Sequence, residues 1–132
     1  MNLRVLGALS AFVAVATGAF GAHALKGRLP AEALAVFETA ARYLLIHAIA
    51  IVFVGDAERR EPGRGWLPAG MAFSLGVCVF SGSLFALALS GVKLWGAVTP
   101  FGGLGLLTGW LACARAAWGN APSKDPTEHL PR

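Results

Sequence analysis

Two long stretches of this chain hold no charged side chain and no histidine. Trp66–Val92 contains no Asp, Glu, Lys, Arg or His, and neither does Leu94–Ala114. A third stretch, Val5–Leu25, contains only His23. A helix that crosses a bilayer needs about 20 mostly apolar residues. Three spanning helices are therefore expected directly.

Composition agrees. Of the 132 residues 56% are hydrophobic and 14% charged, against about 45–50% and 25% in soluble domains. The fourth helix is less plain. Pro30 suits a first helical turn, and the chain from there to Val54 carries Glu32, Glu38 and Arg42 before an apolar run from Tyr43 to Gly55. It reads as a helix that begins in the interface and then enters the bilayer. Asp56–Gly65 reads as a polar loop. Thr99-Pro100 reads as an N-cap with proline at the first helical position. The expected fold is an all-α integral membrane bundle of four helices, at about 3–25, 31–55, 66–90 and 99–118. Residues 1–118 form one transmembrane domain, and 119–132, with three prolines and His129, form a disordered soluble tail.

The first 25 residues also imitate a secretory leader, with Arg4, an apolar core and Ala22-His23-Ala24 as a cleavage-like site. Their periodicity favours a retained span. Gly7, Ala11, Ala14, Gly18 and Gly21 share one helical stripe. Gly70, Ser74, Cys78, Gly82 and Ala86 form a second, and Gly102, Gly105, Gly109, Ala112 and Ala116 a third. Small stripes let helix backbones approach closely in lipid.

The net charge is +4, but the basic residues sit at span ends instead of on one face, which argues against nucleic acid as a partner. With four spans, the N-terminus, the 56–65 loop and the tail share a side. That side holds Arg4, Arg59, Arg60, Arg64, Arg115, Lys124 and Arg132; the other holds Lys26, Arg28, Arg42 and Lys93. The positive-inside bias places both termini in the cytoplasm. Trp66, Trp95 and Trp118 fall at expected span ends, as an interfacial belt requires, whereas Trp110 is expected to pack inside the bundle.

The candidates for chemistry are few. His23 closes the first span and reads either as a relay or as a helix-end cap. His47 lies inside an apolar run, and Tyr43, four residues before it, shares its face. The pair suits a polar ligand or a proton path, or else a hydrogen bond across helices to Ser74, Ser81 or Thr108. Glu38 and Arg42 are spaced for an intrahelical ion pair; the other reading is an anionic ligand for Arg42. At 100° per residue Arg42 lies about 140° from His47, so the two do not form one site unaided. His23 faces the mid-thirties of the second helix and His47 faces about residue 10, which argues against a shared metal. No string matches a phosphate loop or dinucleotide fingerprint. Cys78 and Cys113 read as small packing residues. No catalytic residue, metal site or cofactor is assigned.

Four strings in order, GAFGAHAL at Gly18–Leu25, Tyr43…His47-Ala48, FSGSLFAL at Phe80–Leu87 and TPFGGLGLLTGW at Thr99–Trp110, resemble the membrane-protein family known as domain of unknown function 423, with transmembrane protein 256 as its eukaryotic relatives. Arg42 stands where that pattern suggests a neutral polar residue. The resemblance implies a small multi-pass protein of the bacterial inner membrane and no particular activity. Two functions stay open: a non-enzymatic structural, assembly or regulatory component that docks a membrane-protein partner, and an oligomeric small-solute or ion transporter or channel with a path lined by Tyr43 and His47. An intramembrane enzyme ranks behind both.

Overall fold

A computed structural model describes residues 2–118. Four helices follow one another: α1 (Leu3–Phe20), continuing as a π-helical turn over Gly21–Leu25, α2 (Ala31–Arg60), α3 (Trp66–Ser90) and α4 (Leu94–Trp118). All four are long and apolar enough to cross a membrane, and no strand occurs among the described residues. The expected tail and His129 lie outside the described residues.

The chain packs mainly in series, α1 on α2, α2 on α3 and α3 on α4. The core sits between α2 and α3, where Ile51, Val54, Ala69 and Phe73 are fully buried. Beyond it, the large apolar side chains of α1 and α4 point outward: Leu9, Phe12 and Val15 on one side, Phe101, Leu104 and Leu111 on the other. A protein in water hides such residues, but in lipid they face acyl chains at no cost.

Two of the small stripes close interfaces. On α1, a β-carbon at Gly7 would come within 2.7 Å of Val52 and 2.8 Å of the Ala48 carbonyl. On α4, Gly102 lies directly on the Phe80 backbone, a β-carbon at Gly105 would come within 2.9 Å of the Gly76 α-carbon, and Gly109 sits under the Phe73 ring. The second stripe behaves differently. Gly70 is covered by Leu3 and Val54, but a β-carbon at Gly82 would meet nothing within 4 Å, and Cys78 is exposed. The glycines that bring α3 and α2 to their neighbours lie off that stripe: Gly76 against Leu106 and Gly55 against Leu3 and Arg4. Gly18, in the first stripe, also faces open space.

Three features of the helix ends and turns differ from the sequence expectation. First, α2 does not stop at Gly55 but runs to Arg60. Asp56 pairs with Arg60 one turn on, and Arg59 and Arg60 place positive charge at the C-terminal end of the helix dipole. Second, Glu58 orders the following turn. Its carboxylate accepts N–H bonds from Gly63 (3.4 Å) and from Leu67 in the first turn of α3 (3.0 Å). Gly63 and Gly65, at φ +82° and +99°, supply the left-handed conformations needed to bring the chain back.

Third, α4 begins at Leu94, so Pro100 lies inside the helix and Thr99 does not cap it. The Thr99 hydroxyl bonds within the helix to the Trp95 carbonyl (3.2 Å) and shares a 2.8 Å hydrogen bond with Ser83 of α3. Starting at Pro100 would leave the amides of residues 94–99 without partners at the membrane edge. Continuing the helix back to Leu94 pairs most of their carbonyls and forfeits only the bond that the proline nitrogen cannot donate. The tryptophans also divide. Trp95 and Trp118 are exposed at the ends of α4, but Trp66 is buried, turned inward against Phe53.

Candidate functional site

The described residues place Tyr43 and His47 together on the face of α2 that meets α3 and α4. His47 is 4% exposed. Its Nδ1 lies 2.8 Å from the Tyr43 carbonyl oxygen, one turn back in the same helix. Its Nε2 accepts a hydrogen bond from the Trp110 indole N–H at 3.2 Å, across to α4. A carbonyl only accepts and an indole N–H only donates. The two contacts together therefore require the neutral ring with its proton on Nδ1. The partner expected from sequence was Ser74, Ser81 or Thr108. Instead Ser74 and Thr108 bond back to their own helices, at Gly70 and Leu104.

Four aromatic rings surround this contact. Tyr43 stacks on Phe80 with ring centroids 4.5 Å apart and on His47 at 5.9 Å. Phe73 is tilted against His47 at 5.7 Å, and Trp110 meets both His47 (6.0 Å) and Phe73 (4.9 Å) edge to face. Such pairs add about 0.5–1.5 kcal/mol each beyond their burial. Gly109 makes the arrangement possible, because its missing side chain lets the Phe73 ring lie against α4. Trp110 does pack on the bundle through its N–H, yet the indole is 47% exposed.

Beside the rings lies a lateral groove of about 550 Å³, lined by Tyr43, Phe80, Leu104, Leu107 and Trp110, with His47 at its base. It is largely apolar; of its polar side chains, His47 has both nitrogens engaged and Trp110 donates to it, and Tyr43 adds a hydroxyl. A second groove of about 480 Å³ lies between α1 and α3 on the opposite side of α2, lined by Leu9, Ser10, Val13, Leu44, Ser74 and Cys78 among others.

The remaining candidates do not converge on His47. His23 is exposed within the π-helical turn. The α1–α2 register pairs Gly21 with Phe37 and Gly7 with Ala48, so His23 and His47 lie at different depths. Glu38 and Arg42 are both exposed on the outward face of α2 and do not pair with each other; the ion pairs of the described residues are Asp56–Arg60 and Glu61–Arg64. Among the described residues no group of three His, Cys, Asp or Glu side chains is placed to hold a metal ion. Sequence reasoning missed Phe73, Phe80 and Trp110 as companions of His47. The one available signal was Trp110 standing away from a span end.

Comparison with known proteins places the chain. A family described as "Protein of unknown function (DUF423)" matches residues 17–103, a segment that includes His23, Glu38, Arg42, Tyr43, His47 and Phe80. A UPF0382 membrane protein of Staphylococcus haemolyticus is 42% identical over 108 residues, covering 81% of this chain and 87% of the relative. The UPF0382 membrane protein YwdK of Bacillus subtilis is 37% identical over 114 residues, covering 86% and 93%. The UPF0382 inner membrane protein YgdD of Escherichia coli K12 is 39% identical over 108 residues, covering 82% of each. No solved structure matches the chain. Both the sequence match and the four apolar helices lead to one conclusion: the chain is a multi-pass membrane protein and belongs to the DUF423 family.

Proposed function

We propose that this protein is a non-enzymatic membrane component, a structural, assembly or regulatory subunit that docks another membrane protein. The observation that carries this reading is the closure of His47. Its Nδ1 is committed to the Tyr43 carbonyl and its Nε2 to the Trp110 indole. A histidine so placed joins α2 to α4 and has no free nitrogen for a solute or a relayed proton. A docking subunit also needs packing surface that its own helices leave unused. On α3 that surface is the open part of the second stripe, Cys78 and Gly82. The excess of basic residues on the side of the N-terminus and the α2–α3 turn supports an orientation with both termini inside.

The test uses the full chain, extracted gently into nanodiscs from its native host. A stoichiometric membrane polypeptide is expected to co-purify, and Gly82→Leu is expected to release it while the bundle stays folded. Absence of such a polypeptide, or its retention by Gly82→Leu, overturns the reading. The transport alternative draws support from the groove beside Tyr43 and His47. It requires an ion or solute flux in proteoliposomes that falls when Leu104→Trp fills the groove.

A further inference from the structure

Arg42 stands at the centre of the outward face of α2, in the wrong surroundings for a charge. At 100° per residue it shares that face with Ala31, Ala35, Glu38, Ile46, Ile49 and Phe53. All of these are exposed, Ile49 and Phe53 at 60% and 59%. Arg42 is also deep. It lies about three helical turns beyond the start of α2 at Ala31. The neighbouring Tyr43 stacks on Phe80, near the middle of α3 (Trp66–Ser90). Ionisable side chains at such depth are expensive unless they face protein, and snorkelling to the head groups works near helix ends. Neither Arg42 nor Glu38 has an ion-pair partner among the described residues.

We propose that the outward face of α2 is the contact between two copies of this chain, closed by reciprocal ion pairs between Arg42 of each copy and Glu38 of the other. The face is self-complementary. It carries one acid and one base a helical turn apart; a two-fold axis along the membrane normal sets like residues level with each other, so each ion pair runs diagonally, from Arg42 of one copy back one turn to Glu38 of the other. Four charges that would be isolated in lipid then sum to zero within a protein interface. Helical side chains lean towards the N-terminus, so Arg42 leans to the level of Glu38. Ala31 and Ala35, on the same face, let the two backbones approach at that level, as small residues do between membrane helices. Ile46, Ile49 and Phe53 extend the contact into the other half of the bilayer. This face is distinct from the open stripe of α3, so the dimer stands or falls apart from the docking role.

The experiment is a charge exchange read by energy transfer between labelled chains in lipid bilayers at low protein density. Wild type is expected to dimerise. Arg42→Glu alone and Glu38→Arg alone each set like charges against each other across the axis, and each is expected to lose at least about tenfold in dimer affinity. Mixed, these two variants are expected to form a heterodimer, because every pair is again opposite in sign. An intrahelical Glu38–Arg42 pair does not predict that rescue, since each variant alone has like charges within its helix. If either single variant fails to insert, the double reversal Glu38→Arg with Arg42→Glu in one chain restores both signs and is expected to dimerise as wild type does. A wild-type monomer, an unchanged dimer in the single reversals, or a failed rescue in the mixture or the double reversal each overturns the proposal. A monomer that enriches anionic lipid through Arg42 would point to a head-group phosphate instead.

Discussion

His47 and Trp110, 63 positions apart in sequence, share the hydrogen bond that ties α2 to α4 at 3.2 Å. The α2–α3 and α3–α4 interfaces are extensive, whereas α2 and α4 meet chiefly at this polar contact and the rings around it. Replacing Trp110 by Phe keeps most of the ring contacts and removes the donor. Hydrogen bonds between membrane helices contribute about 0.6 kcal/mol on average, with a maximum near 1.7. Trp110→Phe is therefore expected to lower stability by about 1 kcal/mol in a reversible unfolding titration in mixed micelles. A change indistinguishable from zero would mean that the contact carries no weight.

The same contact fixes a proton. With the Tyr43 carbonyl at Nδ1 and the Trp110 N–H at Nε2, His47 is expected to be the neutral Nδ1–H tautomer. Nitrogen-15 NMR of the protein labelled at histidine distinguishes the tautomers directly. In Trp110→Phe the Nε2 lone pair loses its donor, and the Nε2 resonance is expected to move while Nδ1 stays protonated. A resting Nε2–H tautomer would contradict the arrangement and reopen a role for His47 in proton transfer.

A third consequence concerns the turn between α2 and α3. Glu58 accepts from Leu67 at the N-terminus of α3 and from Gly63 within the turn. It does there what an N-cap side chain does, with a negative charge at the positive end of a helix dipole. Glu58→Ala is expected to cost about 1 kcal/mol and to speed hydrogen exchange at Leu67. Glu58→Gln keeps an accepting oxygen and is expected to lose less than half as much. Equal losses in the two variants would show that charge, and not the hydrogen bond, is what matters.

What was legible in the sequence follows from how local each cause is. The spans could be read because exclusion of charge over some twenty residues is a property of one segment. Tyr43 and His47 could be put on one face because i and i+4 are neighbours in any helix. The ends of α2 and α4 were misjudged for a different reason. Asp56–Arg60 looks like a loop by polarity, but its helix is held by an ion pair and by basic residues at the helix end. Pro100 looks like a start signal, but the amides before it have no better partner than helix.

The companions of His47 were out of reach because they depend on how α4 lies on α3. That packing is set by Gly76, Gly102, Gly105 and Gly109, glycines on two helices that must face one another. Periodicity within one helix located three of them. It passed over Gly76, whose partner is Gly105 and not another small residue of α3. Periodicity also could not say which stripe would be used, and Gly82 belongs to a stripe yet touches nothing.

That last contrast yields a prediction with its own control. A β-carbon at Gly102 would run into the backbone of Phe80, which cannot rotate away. Gly102→Ala must therefore push α4 off α3, opening the interface that also holds Gly105 against Gly76 and the Ser83–Thr99 hydrogen bond. Overpacking in a close-packed interior typically costs about 1–3 kcal/mol, and backbone contact puts this site at the upper end. Gly82→Ala makes the same chemical change in the adjoining helix where nothing lies within 4 Å. Helix propensity alone favours alanine there by up to about 1 kcal/mol. Measured side by side, Gly102→Ala is expected to destabilise the bundle strongly and Gly82→Ala to leave it unchanged or firmer. Equal effects would show that α3 and α4 do not meet at Gly102. A large loss at Gly82 in the isolated protein would mean that this face is covered even without a partner.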